Sequence, residues 1–139
     1  MDDLDKKLIR MLTDNARAPL TELARQLGIA RTTVQSRIVR LEKIGTIRGY
    51  TLRMGYASRP MIRASVLIAF EPHSSGEVLS KLHSLPEVRR AHTPSGRLDM
   101  LVEIAAQTTA DLDRILDQIG SAKGVKSSES LIYLTTKLD

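Results

Sequence analysis

The apolar pattern of the first 45 residues predicts three short helices. Apolar positions three or four residues apart lie on one face of a helix, and three such stripes follow one another. The stripes comprise Leu4, Leu8, Met11 and Leu12, then Leu20, Leu23, Ala24 and Leu27, then Val34, Ile38 and Leu41. Pro19 suits the first turn of the second helix, and Gly28 and Gly45 mark the ends of the second and third.

Residues 46–53 predict a short β-ribbon that turns at Gly49, and residues 54–62 predict a linker. The linker contains Gly55, Ser58 and Pro60, which interrupt the periodicity. The sequence therefore divides into an N-terminal domain of residues 1–53, a linker, and a C-terminal domain of residues 63–139.

The C-terminal domain alternates between strand and helix patterns in the order βαββαβ. We predict strands at residues 64–70, 88–93, 100–105 and 130–137, one helix that begins with a capping box of Ser74 and Glu77, and another from Thr108 to Gly120. This order is the ferredoxin-like arrangement. Residues 64–70 are apolar on both faces, which is typical of a central strand. Both helices lie on one face of such a sheet, so we expect a second copy to cover the other face in a homodimer.

Charge differs between the two halves of the chain. Residues 1–63 carry 13 Lys and Arg against 6 Asp and Glu, whereas residues 64–139 carry 8 against 10. The basic half favours a polyanionic partner, although a chance excess of solvated basic residues is the alternative. The chain has no cysteine, which excludes disulfides and thiolate metal sites. With no long apolar run and an acidic N-terminus, the sequence predicts a cytoplasmic protein without a membrane partner, metal or cofactor.

The segment from Leu20 to Leu41 has the residues that a helix-turn-helix requires. Ala24 is small where two helices cross, Gly28 suits a left-handed turn, and Ile29 and Val34 fill the wedge between the helices. With the ribbon, this predicts a winged helix-turn-helix that binds double-stranded DNA. The candidate base contacts are Thr32, Thr33, Gln35 and Ser36, and the candidate phosphate contacts are Arg31, Arg37, Arg40, Arg48 and Arg53. The alternatives are a protein-docking module for the whole unit and a structural bracing role for Arg37.

Several motifs together resemble the Lrp/AsnC, or feast/famine, family of transcription regulators. They are Leu4-Asp5, Asn15-Ala16-Arg17, Glu22-Leu23-Ala24, Leu27-Gly28-Ile29, residues 37–42, residues 45–50, Pro86-Glu87-Val88, residues 95–99, Lys123-Gly124-Val125 and Ser128-Glu129-Ser130. The resemblance covers essentially the whole chain. It implies an α+β protein with a ferredoxin-like dimer that assembles further to an octamer, and a small amino acid as effector.

The resemblance places the effector at subunit contacts near Gly96 and Asp99. Thr93, Ser95, Ser128 and Ser130 are the accompanying hydrogen-bonding candidates. The alternative is that Gly96 forms a simple hairpin turn and Asp99 caps it. Two positions depart from the family pattern. Leu98 replaces an aromatic residue beside Arg97, which could pair with Asp99, and Ala30 replaces a serine, so that Thr32 becomes the expected cap of the third helix.

Two other functions compete with a specific regulator. His73, His83 and His92 lack metal-ligand spacing, and no nucleophile elbow or phosphate loop is present, so the sequence predicts no catalytic residues and no enzyme. Sirohaem decarboxylases nevertheless resemble this family, and His92 is the residue that such chemistry would use. An architectural protein that wraps DNA with little sequence preference is the second alternative.

Overall fold

The computed structural model describes residues 1–58 and 62–139. These residues form two compact units, Met1–Arg53 and Met54–Asp139. The first unit contains the three predicted helices, which are α1 (Asp3–Asp14), α2 (Leu20–Leu27) and α3 (Arg31–Lys43). Among the described residues, no helix is both long and apolar enough to cross a membrane.

The predicted apolar stripes of the three helices meet in one core. Its buried residues are Leu8, Leu12, Leu23, Ala24, Val34 and Leu41. Gly28 ends α2 in the left-handed conformation, with φ of 67° and ψ of 33°, and its N–H donates to the carbonyl oxygen of Ala24. A side chain at this φ would be strained, so Gly28 sets the turn between α2 and α3 as the sequence predicts.

Three details of the first unit differ from the sequence predictions. Pro19 is the N-cap of α2 and not part of its first turn. The N-cap of α3 is Ala30, and no side chain caps this helix, so the predicted cap from Thr32 is wrong. Residues 46–53 contain no strand, so the predicted ribbon does not form within the chain. Ile47 packs against the core of the three helices, but two strands of this length need a further strand or a helix to cover a face, and the first unit contains no other strand.

The second unit is a four-stranded antiparallel sheet with two helices, in the predicted βαββαβ order. Its elements are β1 (Ile62–Phe70), α4 (Ser75–His83), β2 (Val88–His92), β3 (Met100–Ala106), α5 (Thr109–Gly120) and β4 (Val125–Ile132), with 3₁₀ turns at Tyr56–Ser58 and Pro72–Ser74. The strand order is β2-β3-β1-β4, so β1 is central as predicted. Alternate β1 residues from Ala64 to Phe70 are buried in one core with α4 and α5.

The predicted boundaries of β4 are wrong. The apolar residues Leu131 to Leu134 favour a strand at 130–137, but the strand begins at Val125 and its middle is Ser127-Ser128-Glu129-Ser130. β4 is an edge strand that pairs with β1 at one side of the described sheet, and almost all of its side chains are exposed. Backbone pairing defines this strand, and apolar patterning therefore carries no signal for it.

The predicted capping box at Ser74 does not form either. Ser74 is buried against Gly124 at the end of a 3₁₀ turn, and its side chain makes no capping bond to α4. Thr108 does cap α5, because its hydroxyl accepts from the N–H of Asp111 at 3.0 Å. Ile62, predicted as the last linker residue, is the first residue of β1. The predicted linker residue Pro60 lies outside the described residues.

Candidate DNA-binding and effector sites

The first two turns of α3 present a polar surface to solvent. Val34 is fully buried and fixes the rotation of the helix. Five of the candidate DNA contacts are consequently exposed around it, namely Arg31, Thr32, Thr33, Gln35 and Ser36. The Ser36 hydroxyl donates to the carbonyl oxygen of Thr33 at 3.0 Å. Arg31 and Gln35 have no hydrogen-bond or ion-pair partner within the described part of the chain, so both side chains are available to a ligand.

Arg37 and Arg40 differ from these residues because carboxylates bind them. The Arg37 Nη1 lies 2.7 Å from Asp2 Oδ2 and 2.9 Å from Asp5 Oδ1. The Arg40 Nη2 binds the other carboxylate oxygen of Asp5. Asp5 is fully buried, whereas the side chains of Arg37 and Arg40 are 23% and 48% exposed. The bracing role considered for Arg37 therefore has direct contacts to support it.

The same two carboxylates also begin α1. Asp2 is the N-cap, its Oδ1 accepts from the N–H of Asp5 at 2.8 Å, and Asp5 Oδ2 accepts from the N–H of Asp2 at 3.3 Å, which completes a capping box. Burial raises the pKa of Asp5, but hydrogen bonds from Arg37 and Arg40 and from the backbone lower it more, and the resulting pKa is about 2. Asp5 is thus ionised under all ordinary conditions.

Sequence reasoning missed Asp5, although a signal was present. Asp5, Leu8 and Leu12 are spaced as i, i+3 and i+7, and these are the three buried residues of α1. A charged residue on a buried stripe requires a partner of opposite charge. Arg37 and Arg40 are spaced three residues apart on α3 and supply it.

Arg48 and Arg53 lie at the other end of α1. They line a cavity of about 560 Å³ with residues 13–17 at the C-terminal end of that helix, whereas Arg37 and Arg40 contact its N-terminal end. A helix of 12 residues is about 18 Å long at about 1.5 Å per residue. The structure thus places four of the five predicted phosphate contacts in two groups, one at each end of α1.

Gly96 and Asp99 lie in the turn that connects β2 to β3. The end of this turn continues the pairing of β3 with β1. Gly96 has φ of 117°. The Asp99 N–H donates to the carbonyl oxygen of Ile68 at 2.9 Å, and Asp99 Oδ2 accepts from the N–H of Phe70 at 3.0 Å. The carboxylate thus supplies the acceptor for the N–H of Phe70 at the end of β1, on the side of that strand that faces β3. No described residue binds Oδ1 of Asp99, and Arg97 does not pair with it.

Ser128 and Ser130 are not next to Asp99 within one chain. Ser128 pairs with Ile68 and Ser130 with Val66 on one side of β1, while β3 and the Asp99 turn lie on the other side. Two strand spacings of roughly 4.8 Å separate such rows. Thr93 and Ser95 are exposed on the loop that follows β2. The predicted effector residues therefore form two groups in a single chain.

The histidine residues show no arrangement that indicates catalysis. His92 Nε2 lies 3.6 Å from Glu103 Oε2 across the β2–β3 pair. The described residues contain no group of three or more histidine or carboxylate side chains that could hold a metal ion.

An exposed polar α3 behind a left-handed glycine turn, joined to a ferredoxin-like unit, defines a helix-turn-helix DNA-binding protein with a regulatory domain. Residues 1–42 match the AsnC-type helix-turn-helix domain, and residues 63–139 match the Lrp/AsnC ligand binding domain. The chain belongs to the Lrp/AsnC family of transcription regulators. It is a DNA-binding regulator with a ligand-binding domain and not an enzyme, since its relatives are transcriptional regulators.

Individual relatives match along nearly the whole chain. The HTH-type transcriptional regulator FL11 of Pyrococcus furiosus is 34% identical, over 96% of this chain and 89% of its own. The leucine response regulatory protein LrpA of Mycobacterium tuberculosis is 28% identical, with a TM-score of 0.84 over 100% of this chain and 96% of its own. The regulator NMB0573 of Neisseria meningitidis, solved in complex with L-Met, shares the fold with a TM-score of 0.89 and 20% identity over 100% of this chain and 93% of its own.

Proposed function

We propose that the protein is a sequence-specific regulator that reads base edges with the N-terminal half of α3. The observation that carries this proposal is the exposure of Thr32, Thr33, Gln35 and Ser36 around the buried Val34. Gln35 can bond to adenine in a bidentate manner, and the threonine methyl groups can contact thymine. These side chains lie at the end of the helix that enters the major groove in this class of protein.

The proposed phosphate contacts are Arg31, Arg48 and Arg53. All three are exposed, and none has an ion-pair partner within residues 1–58 or 62–139. Phosphate contacts position a protein on DNA without reading sequence. Arg48 and Arg53 follow α3 at a distance from its N-terminal half, so they suit the backbone that flanks the reading site.

The proposed oligomer is a homodimer that covers the open face of the sheet. Leu67 pairs with Leu101 on this face, and Leu131 lies on the same face opposite Ser65. Leu131 is 51% exposed. Burial of these three leucine side chains is favourable, and a copy of the same surface covers them with closed symmetry. Assembly of such dimers to an octamer is the family expectation that we retain.

The proposed effector is a small amino acid bound where subunits meet near Gly96 and Asp99. Asp99 Oδ1 can accept from an ammonium group while Oδ2 holds Phe70. Ser128 and Ser130 would then contribute hydrogen bonds from a neighbouring subunit, since they lie apart from Asp99 within one chain. Thr93 and Ser95 would contribute from the loop that carries Asp99 itself. The L-Met complex of the similar regulator NMB0573 supports this chemical class. A DNA-binding role also agrees with the cytoplasmic location that the sequence predicts.

The test is a binding titration with a duplex from immediately upstream of the gene and a scrambled duplex of equal length, at two salt concentrations. We expect the upstream duplex to bind roughly a thousand times more tightly or better. Gln35→Ala should reduce that preference by a factor of roughly 5–150, since a bidentate base contact contributes about 1–3 kcal/mol. Gln107→Ala, an exposed glutamine in the second unit, is the matched control. Equal affinity for both duplexes would support the architectural alternative.

The effector is tested by isothermal titration of the twenty amino acids into the protein, followed by Asp99→Asn. An asparagine oxygen can still accept from the N–H of Phe70, so this variant keeps the turn but removes the charge. We expect it to lose amino-acid binding while the unfolding temperature changes little. Unchanged binding in Asp99→Asn would contradict the assignment of Asp99.

A further inference from the structure

Two of the five arginines predicted to contact DNA have their charge neutralised within the first unit. Arg37 and Arg40 bind Asp2 and Asp5, and these four side chains together carry no net charge. A basic side chain strengthens DNA binding by neutralising a phosphate and releasing a counterion. A guanidinium group that a carboxylate already neutralises adds little to that effect.

Asp5 is the centre of this cluster. It is fully buried, and each of its two carboxylate oxygens binds a different arginine. Asp2 is 54% exposed, and Arg37 is the only arginine that it binds within the described part of the chain. Because Asp5 lies on α1 and both arginines lie on α3, its contacts also hold α3 at a fixed rotation against α1.

The cluster adjoins the proposed reading surface. Thr33, Ser36, Arg37 and Arg40 follow one another at helical spacing along one face of α3, and they line an open concavity of about 500 Å³ with Asp2 and Asp5. Thr33 and Ser36 are proposed base contacts. Free arginines at this place would attract the phosphates of DNA of every sequence, since such attraction is independent of the bases.

We propose that Asp5 is a positioning residue that withholds Arg37 and Arg40 from DNA phosphates and thereby sets the specificity of the regulator. It lowers the affinity for DNA of any sequence and keeps the face with Thr33 and Ser36 oriented for the bases. This inference rests on the proposed function of α3. It reverses the sequence-based expectation that Arg37 and Arg40 contact phosphates themselves.

The first experiment measures the salt dependence of binding to a random duplex for the wild type and Asp5→Asn. The substitution removes the charge and preserves the shape of the side chain. The slope of log K against log salt should become steeper by about 0.9 for each arginine that is freed. At 0.1 M salt this corresponds to roughly tenfold tighter binding of the random duplex per freed arginine. The ratio of specific to random affinity should fall.

Asp3→Asn is the matched control. Asp3 lies in the same turn of α1 and undergoes the same change of charge, but its side chain is 92% exposed and its nearest cation is Lys6 at 3.6 Å. A general change of net charge would affect Asp5→Asn and Asp3→Asn equally. A loss of structure in α1 would not make the slope of Asp5→Asn steeper. Equal slopes for Asp5→Asn, Asp3→Asn and the wild type would overturn the inference.

A second variant tests whether Arg40 contacts phosphate, even if Asp5→Asn fails to fold. Arg40→Gln leaves the pair of Asp5 and Arg37 in place, and its random-duplex slope should remain close to that of the wild type. Arg31→Gln should make the slope shallower by about 0.9, because one phosphate contact is lost. If Arg40→Gln makes the slope as much shallower as Arg31→Gln does, Arg40 contacts phosphate and the inference is wrong. The random-duplex slopes show whether Arg40 contacts phosphate even if the wild type has no sequence preference. Failure of the proposed function would instead appear as equal affinity for the upstream and scrambled duplexes.

Discussion

Replacement of Gly124 by alanine should strongly destabilise the second unit. Gly124 precedes β4 with φ of 90°, and its carbonyl oxygen accepts from the N–H of Glu71 at 2.8 Å. A Cβ at this position would lie 2.2 Å from both the Cβ and the Oγ of Ser74. The Cβ of Ser74 is fixed to the backbone, so rotation of the serine side chain cannot relieve the contact.

The cost of Gly124→Ala has two parts that can be separated. A non-glycine residue in a sparsely populated backbone region costs about 1–3 kcal/mol, and an overpacked contact costs about 1–3 kcal/mol more. The expected loss is therefore about 2–6 kcal/mol. Gly96→Ala should show the first part alone. Gly96 also has positive φ, at 117°, but a Cβ added there would meet no atom within 4 Å among the described residues.

A double-mutant cycle with Ser74→Gly isolates the steric part. Without the side chain of Ser74, the nearest remaining atom is its Cα at 3.7 Å, which is an ordinary contact. Gly124→Ala should therefore cost about 1–3 kcal/mol less in the Ser74→Gly background than in the wild type.

Hydrogen exchange measured by mass spectrometry is a suitable assay because it reports on each unit separately. Amides of the central strands β1 and β3 should exchange only through opening of the whole second unit, while peptides from α1 serve as an internal control. Protein concentration must be constant, since the proposed dimer would be more stable at higher concentration. Additive effects of Ser74→Gly and Gly124→Ala would refute the steric reasoning.

Three further predictions concern separate contacts. Thr108→Ala should lower the stability of the second unit by about 1 kcal/mol, as measured by thermal unfolding, because the hydroxyl of Thr108 caps α5. The pKa of Asp5 is about 2 in the folded protein against an ordinary value of 3.8, so its stabilisation should be complete above about pH 4 and should be lost as the pH falls towards 2. Circular dichroism should show that Asp5→Asn lacks this part of the acid transition. Leu67→Glu on the open sheet face should give a folded monomer in analytical ultracentrifugation, whereas Leu79→Glu, at a 42% exposed position on α4, should remain a dimer.

The sequence determined those features that depend on local periodicity. The apolar stripes of α1, α2 and α3, the apolar run of β1 and the left-handed glycine after α2 are each set within a few residues. The order of elements then predicted the ferredoxin-like topology, and the motifs distributed along the chain indicated the Lrp/AsnC family. The candidate base contacts also followed from local pattern, because the burial of Val34 determines which neighbouring residues are exposed.

Only the tertiary structure decided features that depend on partners distant in the chain. The polar segment of β4 is a strand because β1 pairs with it, and Ser74 is buried because Gly124 approaches it. Arg37 and Arg40 bind Asp5, which is more than thirty residues away in sequence. A charged side chain can bind DNA, pair with a carboxylate or lie against a core, and the low-dielectric surroundings that folding creates decide between these outcomes. The local sequence pattern does not contain those surroundings.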